Sequence, residues 1–156
     1  MEIKQMETDR RKEVSNYNCW TEVTLRYNDT DAVGHINNGA FFSFLEQGRA
    51  TAMFNGTSPI SEPGTMFVIA SVKLDFLAEM NFPGLVRIGT VIKSFGRTSL
   101  TLNQAIFLDG TCRGVSEEVM VLIDLVSRKP IVITEETRKK IESRVMPALS
   151  KPLSGE

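Results

Sequence analysis

The stretch RYNDTDAVGHINNGAFFSFLEQGR, residues 26–49, sets a polar loop directly against an apolar run. Asp29 and Asp31 stand two residues apart, His35 is the only histidine in the chain, and Asn37 and Asn38 open a segment dense in phenylalanine. The Asn, Asp and Gly residues of NDTDAVGHINN are turn formers. An Asn just ahead of an apolar periodic run is a helix N-cap. The spacing predicts a helix from about Asn38 to Asn55, capped by Asn37 or Asn38 and ended by Gly56. Phe41, Phe44, Leu45, Gly48 and Ala52 fall on one stripe at helical spacing, while Phe42 and Met53 lie on other faces. A helix that is apolar on most sides is buried on most sides, so other elements have to enclose it.

On the N-terminal side, CWTEVTLRY (19–27) mixes aromatic, β-branched and long residues and reads as a strand. On the C-terminal side the chain changes character after a loop at 57–64. Residues 65–80 are long and β-rich, NFPG is a turn, and 85–95 and 98–108 alternate as strands. Asp109-Gly110 signals a tight hairpin whose second strand runs over 111–127. A short helix is expected over 134–145, with Thr134 as N-cap and acidic residues ahead of Arg138, Lys139 and Lys140, as the helix dipole favours. The order is strand, long helix, four strands, short helix. A doubly wound parallel fold would alternate helix and strand, so it is excluded. The fold expected is α+β, an antiparallel sheet with the long helix in its concave face. Residues 1–17 read as a loose polar arm, 18–150 as the domain and 151–156 as a tail.

The 156 residues suit one core, and a formal net charge of -1 supplies no basic field for nucleic acid or an anionic membrane. No apolar cluster approaches the ~20 residues of a membrane span. The N-terminus has no apolar core of a signal peptide. Cys19 and Cys112 have no metal-like spacing and read as free thiols in a reducing compartment. A cytoplasmic protein is expected.

The motif loop allows several chemistries, and most fail on composition. Taken as an EF-hand from Asp29, the loop has Val33 at the fifth position and Ala40 at the twelfth, where oxygen ligands are required. One histidine and two distant cysteines cannot build a structural zinc site. No nucleophile elbow or phosphate-binding glycine loop is present. Carboxylate chemistry remains. Asp31 sits between a strand end and a helix start, where unpaired backbone N–H groups can polarise a carbonyl. A carboxylate nearby could attack that carbonyl or activate water. On residue types alone, Asp29, Asp31, Asn37 and Asn38 read first as turn formers and caps.

Arg26, Tyr27, Asp29, Asp31, Gly34, His35, Asn37, Asn38, Phe41, Leu45, Glu46 and Arg49 together resemble the motif of the 4-hydroxybenzoyl-CoA thioesterase family, in its acyl-CoA thioesterase branch. A weaker likeness extends over about 19–145. The resemblance implies a hotdog fold, a sheet wrapped around a central helix, in homodimers or homotetramers with active sites at the dimer interface. It implies hydrolysis of an acyl-CoA to a carboxylate and CoA with no metal or organic cofactor. Asp31 takes the place of the catalytic carboxylate, as nucleophile or general base. His35, Asn38, Gly39, Ala40 and Phe41 fall in the substrate-positioning and oxyanion region. Asp29 would orient the loop or act on Asp31 by like charge.

GAFF after the two asparagines departs from the family pattern and makes Phe42 a candidate for the acyl pocket. Lys73, Lys93 and Arg97 are candidates for the CoA phosphates, without a motif behind them. Glu46 is a secondary catalytic candidate, since another hotdog branch carries its carboxylate on the central helix; a buried ion pair with Arg49 is its structural reading. The rival functions are a hydratase or dehydratase using His35 with Glu46, and a non-catalytic acyl-CoA-binding module.

Overall fold

Alternation of large apolar and polar residues builds the strands of this chain. The computed structural model describes residues 9–54 and 60–145. In chain order they form β1 (Cys19–Thr24), α1 (Asn38–Phe54), β2 (Thr65–Phe76), β3 (Leu85–Phe95), β4 (Ser99–Leu108), β5 (Thr111–Asp124) and α2 (Glu135–Arg144). The strands make one antiparallel sheet in the order β1-β3-β4-β5-β2. This is the α+β arrangement expected, with α1 across the sheet's inner face. The β4–β5 hairpin turns at Asp109 and Gly110, with φ of 51° and 74°. Two left-handed residues match the twist of the flanking strands. Gly56, the expected helix stop, lies outside the described residues.

The ends of β1 and β2 differ from expectation for local reasons. β1 stops at Thr24, because Tyr27–Asp29 folds into a single 3₁₀ turn. β2 stops at Phe76 rather than Met80, because the next two amides, Leu77 and Ala78, both turn to the carbonyl of Arg113 (2.9 and 3.2 Å) and leave the ladder. At α2 the Thr134 hydroxyl accepts from the Thr137 N–H at 3.2 Å, so the cap forms without a capping-box Glu.

The arm expected at 1–17 is packed from Asp9 onward. Asp9 caps a 3₁₀ turn at Arg10–Lys12, and the Tyr17 hydroxyl donates to the Arg11 carbonyl at 2.7 Å. The Tyr17 ring is buried on the outer face of the sheet with Val91, Ala105, Phe107 and Val115. The folded unit therefore begins ahead of Asn18; the mixed charges of this segment conceal its one large anchoring ring.

Apolar side chains of α1 and the inner sheet face make two core clusters. Phe41, Phe44 and Leu45 meet Val86, Ile88, Ile106 and Leu108, and Ala52 and Met53 meet Ile92, Leu100 and Leu102. Between the clusters the helix comes very close to the sheet. A Cβ on Gly48 would stand 2.5 Å from Gln104 Nε2 and 2.7 Å from Ile88 Cγ2. Gln104 Nε2 instead donates to Thr90 Oγ1 at 2.9 Å.

Beside this contact Glu118 is fully buried, accepting from Arg49 Nη1 at 2.9 Å and from Ser116 Oγ at 2.8 Å. Burial holds its carboxyl above the usual carboxylate range, outweighing Arg49 and Ser116. The Glu46–Arg49 ion pair expected from their spacing is therefore replaced by Glu118–Arg49. Glu46 is exposed, whereas Glu118 is fully buried and needs the guanidinium.

Gly48→Ala is expected to destabilise the protein by about 1–3 kcal/mol in chemical denaturation, because the added methyl forces helix and sheet apart. Glu118→Ala should cost about 3–5 kcal/mol by leaving the Arg49 charge buried and unpaired. In the same denaturation assay, the Arg49→Met/Glu118→Met double variant should recover most of that loss.

Candidate active site

The loop between β1 and α1 folds into a small hairpin of its own. Asp29 closes its base. The carboxylate accepts from the Arg26 backbone N–H at 2.8 Å and from its guanidinium at 3.1 Å, and the Asp29 carbonyl accepts from the Asn37 N–H at 2.8 Å. Asp29 is thus a buried loop anchor. Thr30 bridges Ile36, the Asp31 N–H donates to the His35 carbonyl at 2.8 Å, and Gly34 takes the left-handed turn position at φ 89°. Asp31 Oδ1 accepts from the N–H groups of Val33 (2.9 Å) and His35 (3.2 Å). The hairpin thus holds the Asp31 carboxylate by one oxygen and leaves the residue exposed.

Asn37, not Asn38, caps α1: its Oδ1 accepts from the Gly39 N–H at 2.7 Å, and its carbonyl accepts from the Ala40 N–H at 2.9 Å. Two of the amides expected as oxyanion donors are therefore already engaged inside the helix start. Asn38 lines the cavity described next.

A cavity of about 410 Å³ opens between the hairpin, the start of α1 and the end of β2. That volume is in the range of small-ligand sites. Asp31, His35, Asn38 and Phe41 form one side, and Phe76, Leu77, Ala78 and Glu79 the other. The far wall is tied to the near one. The Ile36 N–H donates to the Met80 carbonyl at 2.8 Å, and His35 bridges Asn81. Arg113 braces the wall from β5, donating to the Glu79 carbonyl at 2.7 Å. Phe41 is buried and packs edge-on against Phe76 at 5.1 Å, and the half-exposed Phe42 meets the same ring at 6.4 Å, on the rim.

Glu79 is the residue that the sequence did not single out. Its carboxylate oxygen stands 3.3 Å from His35 Nδ1. Nothing local in LAEMN marks it; the contact exists because the chain leaving β2 runs alongside the hairpin.

The remaining candidates lie elsewhere. Glu46 lies eight residues along the helix from Asn38, about 12 Å at 1.5 Å per residue. It lines a separate cavity of about 370 Å³ with Arg49, Met53, Phe54, Met66 and Met120. It does not meet His35. Lys93 is ion-paired with Glu117, and Lys73 is the register partner of the same Glu117. Arg97 precedes the start of β4, about 30 Å of strand from the cavity. Among the described residues, no group of three or more His, Cys, Asp or Glu could hold a metal ion, and no helix is long and apolar enough to cross a membrane.

Residues 25–141 match the thioesterase-like superfamily. The long-chain acyl-CoA thioesterase FadM of Escherichia coli (strain K12) is 25% identical over 129 residues, 80% of this chain and 98% of that protein. The PA5185 protein of Pseudomonas aeruginosa PAO1 superposes with a TM-score of 0.75 at 23% identity, over 86% of this chain and 96% of the other. A Thermus thermophilus thioesterase, solved with coenzyme A and Zn, superposes with a TM-score of 0.73 at 24% identity, over 86% and 98%. With the motif loop, the enclosed helix and strands β2 to β5 all inside the matched segment, the chain belongs to the thioesterase-like superfamily, with its hotdog fold.

Proposed function

We propose that the protein is a cytoplasmic acyl-CoA thioesterase of the 4-hydroxybenzoyl-CoA thioesterase type, with Asp31 as its catalytic carboxylate. One observation carries this reading: Asp31, held by two loop amides, lines the same cavity as Asn38 at the start of a buried helix. A thioester carbonyl in that cavity would be within reach of a carboxylate and of the helix start. The positive end of α1 and the amide groups of Asn38 would stabilise the developing oxyanion. Asp31 would attack the carbonyl carbon or take a proton from water that does so. The net reaction is acyl-CoA plus water to carboxylate plus CoA, and no step calls for a cofactor. FadM, named for this activity, supports the acyl-CoA substrate. Phe76 and the rim ring of Phe42 favour an apolar acyl group.

The active unit is a homodimer or homotetramer. β2 is an edge strand of 12 residues. An uncovered edge of that length is a template for pairing. Phe42, Phe54, Met66, Ile69 and Phe76 are exposed along it and the adjoining helix face. Lys73, Lys93 and Arg97 stay candidates for the CoA phosphates only across such an assembly, since within one chain none of them lines the Asp31 cavity. The hydratase reading loses the His35–Glu46 pair, because Glu46 lies on a different cavity from His35.

Thiol release should be seen on at least one member of a panel of short, long, branched and aromatic CoA esters. Asp31→Asn should lower kcat by about a hundredfold or more while circular dichroism and oligomer size stay unchanged. Full activity in that variant overturns the assignment, and tight binding of acyl-CoA without any thiol release selects the binding module. Light scattering at micromolar concentration should give a dimer or tetramer; a monomer with full activity removes the shared-interface reading.

A further inference from the structure

Resting on the same thioesterase reading, we infer that Glu79 is a positioning residue for His35: it keeps the imidazole proton on Nδ1 and leaves Nε2 as the proton acceptor of the site. Both residues line the Asp31 cavity, and Glu79 Oε1 stands 3.3 Å from His35 Nδ1. Their backbones are held independently of that contact. His35 is fixed by its exchange with Asp31 and its bridge to Asn81. Glu79 is fixed by Arg113, whose carbonyl receives Leu77 and Ala78 and whose guanidinium donates to the Glu79 carbonyl.

The charged groups around the pair leave His35 one direct partner. Asp31 Oδ1 is turned to backbone amides, Asp29 is engaged with Arg26, and Arg113 points at the carbonyls of Glu79 and Leu108. Which ring nitrogen of a histidine carries the proton is set by the acceptor that the ring meets, and a carboxylate at Nδ1 fixes Nδ1–H. Nε2 is then an acceptor.

In the nucleophilic mode of Asp31, its carboxylate oxygen bonds to the acyl carbon and the C–S bond breaks with its electron pair going to sulfur. Water oxygen then bonds to the acyl carbon of that anhydride, one water proton passes to Nε2, and the C–O bond to Asp31 breaks to restore its carboxylate. Sulfur takes the proton from Nε2 to become the thiol. The Glu79 side chain beside Nδ1 offsets the positive charge that the ring takes on in that step. It touches neither water nor thioester, so its effect runs through the ring.

His35 is the only histidine, so one ¹⁵N-histidine spectrum of the full chain reads its tautomer directly. At a pH where the ring is neutral, the wild type should show the Nδ1–H form. Glu79→Ala should move it toward Nε2–H, and Glu79→Gln, whose carbonyl can still accept, should keep it. Glu79 is largely exposed, so these variants should fold. On the best CoA ester, Glu79→Ala should lose about tenfold or more in kcat, a fraction of what a positioned base contributes, with KM nearly unchanged; Glu79→Gln should restore most of it. An Nε2–H wild type, or a Glu79→Ala variant with unchanged tautomer and kcat, overturns the assignment. The spectrum decides the pairing even if no CoA ester is cleaved, so its failure is distinct from failure of the thioesterase reading.

Discussion

The close seat of α1 on the sheet at Gly48 is the contact on which the other features depend. With no side chain there, helix backbone approaches Gln104 and Ile88 at a distance that any Cβ would violate. Dispersion and burial fall off steeply with separation, so this approach lets Phe41, Phe44 and Leu45 on one side and Ala52 and Met53 on the other reach the inner sheet face together. It also fixes where the helix begins. The N-terminus of α1 is delivered beside the end of β2 and the start of β3, where a short hairpin can close over it.

Close seating has a polar consequence. The inner face of β5 carries Ser116 and Glu118 in phase with Met120 and Leu122, so a carboxylate is buried beneath the helix. Arg49 is the cation within reach, and taking it leaves Glu46 in solvent on the rim of another cavity. The helix is thereby divided along its length. Its first turn faces the Asp31 cavity, its middle is locked by Gly48 and the Arg49–Glu118 pair, and its last turns are apolar packing.

At the first turn, capping and the chemistry proposed for Asp31 would use a single arrangement. Asn37 satisfies two amides of the helix start, Asp29 ties the loop base to Arg26, and Asp31 is presented by the same hydrogen bonds that shape the turn. The turn-forming and catalytic readings of this loop therefore describe the same atoms. Asp29 turned out to be an anchor and not a neighbour charge because its carboxylate points to Arg26.

The sequence by itself determined the element order, the enclosed helix, the Asp109-Gly110 hairpin and the loop that carries Asp31. Each of these is set by local periodicity or by turn chemistry within a few residues. Alternation in GVSEEVMV even held the buried acid, since one of Glu117 and Glu118 had to face inward with Met120. Tertiary structure alone decided three things: the partner of Arg49, the burial of Tyr17 on the outer face, and the meeting of His35 with Glu79. Each joins segments that are distant in the chain, or puts a segment on a face that its own composition does not name. Their distances follow from strand register and from where β2 leaves the ladder, which no local pattern encodes.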